Sequence, residues 1–296
     1  MKTIDPKEID TAELHGYLLG AIAPRPIAFA STVDSSGNIN LSPFSFFNVF
    51  GSNPPMLVFS PARRVRDNTT KHSLDNVLEV PEVVINMVNY EMVEQMSLAS
   101  TEYEKGVNEF VKSGLTATPS TKVRPPRVKE APAAFECKVK EVIPLGDTGG
   151  AGNLVLCEVV LAHFRDEIFD ENGKIDPFKL DAVSRMGGDW YCRAQGDALF
   201  EIPKPIRKKG IGVDAIPLAI RNSTVLTGNN LGRLGNVEKL PSEEDVAVFA
   251  TQPVIQEMRL RFKHDRESYV NNLHQYAKEV LELGDLETAW KILLQA

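Results

Sequence analysis

The sequence predicts a mainly β protein, an antiparallel barrel with flanking helices, followed by a helical extension. Three observations predict it. Apolar, β-prone runs recur between residues 26 and 164, the connections between them carry hairpin and turn signals, and helical spacing becomes dominant only after Ile202.

Residues 26–33 (PIAFASTV) read as a strand ended by the turn signal DSSGN. Strand-like runs follow from Pro43 to Phe50 and from Met56 to Ser60. Asp67 is placed to cap a helix running through Leu78, which Pro81 closes. Val83 to Val88 reads as a buried strand, and Glu91 to Ala99 as a short helix with Met92, Met96 and Leu98 among its apolar positions. The polar, proline-marked segment from Thr116 to Pro132 is a long loop, of a length that tends to be functional. Two long β runs, Ala133 to Pro144 and Leu154 to Phe164, are joined by GDTGGAGN. A phosphate-binding loop would lead into a helix; β-type sequence follows here, so the connector is a hairpin loop.

Pro203 and Pro205 mark a boundary, dividing the chain into a barrel domain (1–202) and an extension (203–296). An irregular Gly/Asn-rich stretch is expected up to Lys239, and Lys204 to Lys209 reads as a solvated basic linker. Ser242 and Asp245 form a capping pattern. Tyr269, Leu273, Tyr276, Ala277, Val280 and Leu281 recur at helical spacing, Gly284 suits a helix end, and Asp285 caps a last helix. The barrel, or that of a second copy, is the nearest surface for these apolar residues.

Composition narrows the class. The 296 residues suffice for a large core, and 43% hydrophobic with 25% charged residues is ordinary for a globular protein. A net charge of −7 argues against nucleic-acid binding. The N-terminal MKTIDPKEID has no apolar signal core, and no run approaches the ~20 apolar residues of a membrane span, so a cytoplasmic protein is expected. Cys137, Cys157 and Cys192 have no metal or disulfide spacing, and the first two sit in apolar runs as core residues.

The stretch 42–60 (SPFSFFNVFGSNPPMLVFS) carries the chemistry. Phenylalanines crowd its first half, interleaved with Ser42, Ser45 and Asn48, and the basic, hydroxyl-rich run Arg63, Arg64, Arg66, Asn68, Thr69, Thr70 comes directly after it. A flat aromatic ligand with a phosphate tail needs apolar walls, a few orienting polar groups, and arginine or backbone N–H groups for the phosphate. A hydrophobic strand pair with a solvated basic loop would read the same way in isolation. The order of the pieces favours the ligand.

Those pieces are PRPIAFASTVD (24–34), GNINLSPFSFFN (37–48), PPMLVFSPARR (55–64), RDNTT (66–70), EAPAAFECKV (130–139) and GKIDP…RMGGDWY (173–191). In this order, over roughly residues 15–200, the chain resembles the flavin reductase-like, FMN-binding split-barrel proteins. The resemblance implies a six-stranded antiparallel barrel, a homodimer, and FMN near the subunit interface. By motif, Ser31, Thr32, Ser42, Phe44, Ser45, Phe46 and Asn48 border the flavin ring and ribityl chain. Phe59, Ser60, Arg66, Asn68 and Thr69 hold the phosphate. Many members read Lys-Asp-Thr where this chain has Arg66-Asp67-Asn68, which leaves open whether Asn68 or Thr69 replaces the missing hydroxyl. Tyr191 would cap the pocket, with a structural turn as the alternative. Arg124 and Arg127 of the long loop are expected to meet a phosphate-bearing donor, with a solvated loop stiffened by its prolines as the alternative; His163 is grouped with them and also suits a core or interface histidine. The implied activity is hydride transfer from NAD(P)H to flavin N5, with a small-molecule or protein acceptor and no side-chain acid or base. The alternative is a flavin-carrying electron-transfer protein that works with a protein partner and does not turn over nicotinamide.

Overall fold

Seven strands build the main sheet of the computed structural model: β1 (Ala28–Val33), β2 (Ile39–Phe44), β3 (Phe47–Ser52), β4 (Pro55–Phe59), β5 (Glu82–Asn86), and, after a small pair β6 (Ala117–Thr118) and β7 (Arg127–Val128), the long β8 (Ala133–Pro144) and β9 (Asn153–Phe164). The order is β2-β1-β5-β8-β9-β4-β3, with every neighbouring pair antiparallel. This corrects the expected six-stranded barrel. The ladder has seven strands and does not close.

The extra strand arises where one strand was expected. The run from Pro43 to Phe50 breaks at Ser45-Phe46, which separates the end of β2 from the start of β3. These two strands are the opposite edges of the sheet. Laid flat, seven strands would span about 29 Å, whereas three residue steps reach at most about 11 Å. The sheet must therefore curl until its edges meet at Ser45-Phe46. Ser60 N–H donates to the Phe46 carbonyl at 2.8 Å and fastens the link to the end of β4.

All of β1 is buried because both of its faces are covered. On one face Ala28 and Ala30 pack with Leu74 and Val77 of α2 (His72–Glu79). On the other Phe29 packs with Met92, Met96 and Phe110, which come from a 3-10 turn (Tyr90–Met92), α3 (Val93–Leu98) and α4 (Glu109–Ser113). Cys137 and Cys157 are fully buried in the first of these cores, and burial pushes the Cys137 thiol up to about 12.

The helix expected from Asp67 starts at His72 instead. The Asp67 carboxylate accepts from Thr69 N–H (3.0 Å) and Thr69 Oγ1 (2.6 Å), and Asn68 has φ +56°, so residues 67–69 form a turn held by their own side chains. The Thr116–Pro132 loop contains the β6–β7 pair. Among the helices that were not legible are α1 (Thr11–Ala21), capped by Asp10, and α4. No residue of α1 is buried, so it shows no apolar stripe.

The structure describes every residue except Lys204, Ile206, Arg207 and Lys208, so the expected basic linker falls largely outside the described residues. The chain divides into two compact units, Met1–Phe200, which also holds α5 (Pro177–Leu180), and Glu201–Ala296. The second unit contains α6 (Leu218–Arg221), α7 (Gly228–Leu234), α8 (Glu243–Phe249), α9 (Pro253–Arg261), α10 (Arg266–Glu282) and α11 (Leu286–Leu293). The stretch before Lys239 is thus partly helical rather than irregular, and a Thr227–Asn230 capping box opens α7. Ser242 and Asp285 cap α8 and α11, as expected. Leu273, Ala277, Val280 and Leu281 bury against Ile216, Leu234, Ile255 and Trp290 of their own unit. They need no barrel surface, because the neighbouring helices supply the apolar partners. No helix among the described residues is long and apolar enough to cross a membrane.

Candidate functional site

Curling the sheet leaves a pocket where its edges meet. This cavity of about 250 Å³ is lined by His15 and Leu19 of α1, Ser42, Pro43 and Phe44 of β2, the Ser45-Phe46 link, Ser60 and Ala62 after β4, Lys71 before α2, and Ser100 after α3. Its walls are apolar at Leu19, Pro43, Phe44, Phe46 and Ala62, and four serines, Ser42, Ser45, Ser60 and Ser100, also line it. Phe44 is backed by the buried Phe59, with ring centroids 5.4 Å apart. Phe46 is 39% exposed, and its ring meets that of His15 in an edge-type arrangement with centroids 6.1 Å apart. An aromatic ring left open beside hydroxyls is a binding surface rather than core. Ser60 Oγ accepts from Asn153 N–H at 3.0 Å, which leaves its own proton free to donate.

Arg25 holds α1 against this pocket. Its buried guanidinium donates to the carbonyls of Leu19 (2.6 Å), Ile22 (2.5 Å) and Met186 (2.9 Å), and its Nε to Ser45 Oγ (3.4 Å). Desolvation lowers its pKa, with Arg185 adding to the effect. The end of α1 compensates, since its free carbonyls carry partial negative charge. A Cβ on Gly187 would lie 2.9 Å from Gly20 Cα, so the RMGG segment packs backbone to backbone on the end of α1.

Beside Lys71 lies a cationic cluster. Glu102 Oε1 meets Arg64 Nε at 2.9 Å and Lys71 Nζ at 3.1 Å, and Oε2 meets Arg66 Nη2. Hydrogen bonds from Arg64 first, then Lys71, hold the Glu102 carboxyl down at about 2. Arg64 Nη1 also donates to Thr69 Oγ1 at 2.9 Å. The β8–β9 hairpin loop backs this segment: Gly150 N–H donates to the Arg63 carbonyl at 3.0 Å, and Arg63 N–H to that of Ala151 at 2.8 Å. A Cβ on Gly149 would come within 2.9 Å of the Val65 carbonyl, so the loop needs glycine there to approach.

Of the residues expected from the sequence, Ser42, Phe44, Ser45, Phe46 and Ser60 come together in the pocket. Arg66 and Thr69 belong to the adjoining cationic loop. Asn68 faces away from the cluster, accepting from Arg63 at 2.6 Å and donating to the Asp147 carbonyl at 2.9 Å. Thr32 accepts from Asn76 of α2 at 3.0 Å, and Asn48 is exposed on β3. Ser31 sits opposite Leu41, on the face covered by α3 and α4. Tyr191 belongs to β11 (Tyr191–Arg193), paired with β10 (Val183–Arg185), and lies under the Arg185 guanidinium at 4.6 Å.

Arg124, Arg127 and His163 do not line this pocket. Arg124 N–H donates to Glu82 at 2.7 Å, Arg127 to the Pro119 carbonyl at 3.3 Å, and His163 pairs with the buried Glu136 at 2.7 Å. Glu136 also accepts from Thr121 N–H at 2.8 Å, so Glu82 and Glu136 pin the 116–132 loop onto β5 and β8. Sequence reasoning missed His15, Leu19, Lys71, Ser100 and Glu102. Only Lys71 carried a signal, as the residue directly after the RDNTT run.

A curled antiparallel sheet with an aromatic, hydroxyl-lined pocket at its meeting edges and a cationic loop alongside is the architecture of a split-barrel flavoprotein. The chain belongs to the flavin reductase like domain family, whose model matches residues 20–179. An uncharacterized protein of Aquifex aeolicus is 39% identical over 196 residues, 66% of this chain and 97% of that one. Among solved structures, nitrilotriacetate monooxygenase component B of Bacillus cereus is similar at a TM-score of 0.64 and 30% identity, over 68% of this chain and 98% of that one. The 2-nitrobenzoate 2-nitroreductase of Pseudomonas fluorescens is similar at 0.58 and 30%, over 68% and 96%. Membership places this chain among flavin-associated reductases.

Proposed function

We propose that this protein is an FMN-dependent, cytoplasmic oxidoreductase of the NAD(P)H:flavin reductase type. The observation that carries this reading is the continuity of the site. The aromatic wall of Phe44 and Phe46 runs past Ser42, Ser45 and Ser60 to Lys71, and Lys71 joins Arg64 and Arg66 through Glu102. A flavin mononucleotide has matching parts: an apolar ring, a polar edge, a hydroxylated chain and one terminal phosphate. When bound, the flavin supplies a hydride acceptor at N5. The chain's residues do the rest: the phenylalanines support the ring, the serine hydroxyls orient its polar groups, and Lys71 with Arg64 holds the phosphate. One compact cationic cluster supports FMN over a dinucleotide flavin.

The test is anaerobic mixing with NADH and NADPH, after heat release and chromatography identify the bound flavin. FMN should be recovered, and at least one nicotinamide should bleach the flavin within seconds. Recovery of FAD alone would remove the FMN assignment. If neither nicotinamide bleaches the flavin, the electron-carrier reading takes its place. The acceptor is proposed to be a small molecule or protein outside this chain; the similar Bacillus cereus protein is by name one component of a monooxygenase.

A homodimer is the proposed working form. Tyr17 and Leu18 of the unburied helix α1 and Ile22 directly after it are exposed, as are Val49 and Phe50 of edge strand β3. Such apolar surface is of the kind that interfaces cover. Sedimentation velocity at micromolar concentration should give a species of twice the chain mass; a monomer that retains flavin would contradict this.

A further inference from the structure

The cationic cluster already holds an anion of its own. Glu102 occupies the donors a phosphate would use, Arg64 Nε, Arg66 Nη2 and Lys71 Nζ, and among the described residues its carboxylate has no other hydrogen-bond partner. It lies in the irregular segment after α3 with its side chain 36% exposed, so it can swing out without disturbing a helix or strand. Lys71 lines the pocket itself, which puts this carboxylate next to the ligand's path. Held down at about 2, the carboxyl stays charged at working pH, so protonation does not release it from the cations.

Building on the flavin reading, we propose that Glu102 is an internal competitor for the phosphate site, one that keeps a phosphate-bearing flavin exchangeable. The ligand phosphate carries about −1.5 to −2 and three acceptor oxygens, so it outcompetes a single carboxylate. Displacing Glu102 nevertheless opposes binding, and its return to the cations as the phosphate departs favours release. The carboxylate penalises every ligand that takes the cations, so it sets affinity and residence time and does not select among phosphorylated flavins. A flavin without phosphate leaves Glu102 in place and is indifferent to it.

Fluorescence titration and stopped-flow release of riboflavin and FMN, using the full chain freed of flavin, test this with Glu102→Gln and Glu102→Asp. Glu102→Gln should tighten FMN about tenfold, mainly through slower release, while riboflavin affinity stays within twofold. Glu102→Asp, which retains the charge, should remain near wild type for FMN. If Glu102→Gln weakens FMN or leaves it unchanged, Glu102 organises the cations rather than competing for them, and the proposal falls. Equal shifts for riboflavin and FMN would also overturn it, by showing a general change in the pocket. A wild-type protein that binds FMN distinguishes these outcomes from failure of the flavin reading, which would appear as no binding of either ligand and would remove both.

Discussion

Replacing Trp290 by alanine should lower the stability of the helical unit by about 3–5 kcal/mol. Trp290 is almost fully buried among residues of that unit, and its indole N–H donates to the Leu234 carbonyl at 3.2 Å. Truncation therefore opens a large cavity and leaves a buried carbonyl without its donor. Domains of ordinary stability have only about 5–15 kcal/mol in hand, so the loss brings this unit close to unfolding. Because residues 201–296 hold their own core, the effect should be confined to them. Calorimetry should show one transition falling sharply while the other, followed by flavin absorbance, keeps its midpoint. A single transition that shifts as a whole would mean the two units unfold as one body.

Removing Arg64 and Lys71 together should reduce FMN affinity about a hundredfold or more. Charge-assisted hydrogen bonds contribute on the order of 1.5–3 kcal/mol each, and every 1.4 kcal/mol is about tenfold. Arg64 is the better placed of the neighbouring arginines, since its side chain is 15% exposed against 67% for Arg66. Water screens Arg66 more strongly, so Arg66→Ala alone should have the smaller effect. Riboflavin, which has no phosphate, should bind the double variant as it binds the wild type. Isothermal titration with both ligands, alongside circular dichroism to establish folding, checks this. Unchanged FMN binding by a folded double variant would take the cluster out of the phosphate role.

Much of this molecule was legible one segment at a time. The β8–β9 hairpin, the buried Cys137 and Cys157, and the caps at Ser242 and Asp285 all follow from patterns within a few residues. Five pocket residues, Ser42, Phe44, Ser45, Phe46 and Ser60, were reached through the order of the motifs and the family they resemble, since the crowded aromatics and hydroxyls alone would also suit a hydrophobic strand pair. Helix α1 was not legible. It buries nothing in this chain, so no hydrophobic stripe marks it, and His15 and Leu19 went unseen with it.

Local sequence by itself determined most of the strands, the helix starts at Ser242 and Asp285, and which stretch has the chemistry to hold a flat aromatic ligand with a phosphate tail. Such properties depend on burial periodicity and on hydrogen bonds between near neighbours. Only the tertiary structure decided that Pro43–Phe50 divides between opposite sheet edges, and that Ser31 turns from the pocket side. It also decided that Glu102 reaches back to Arg64, Arg66 and Lys71, and that the last six helices bury one another. Each depends on a pairing between residues distant in the chain. Strand register and side-chain reach set those pairings, and neither is written in any single segment.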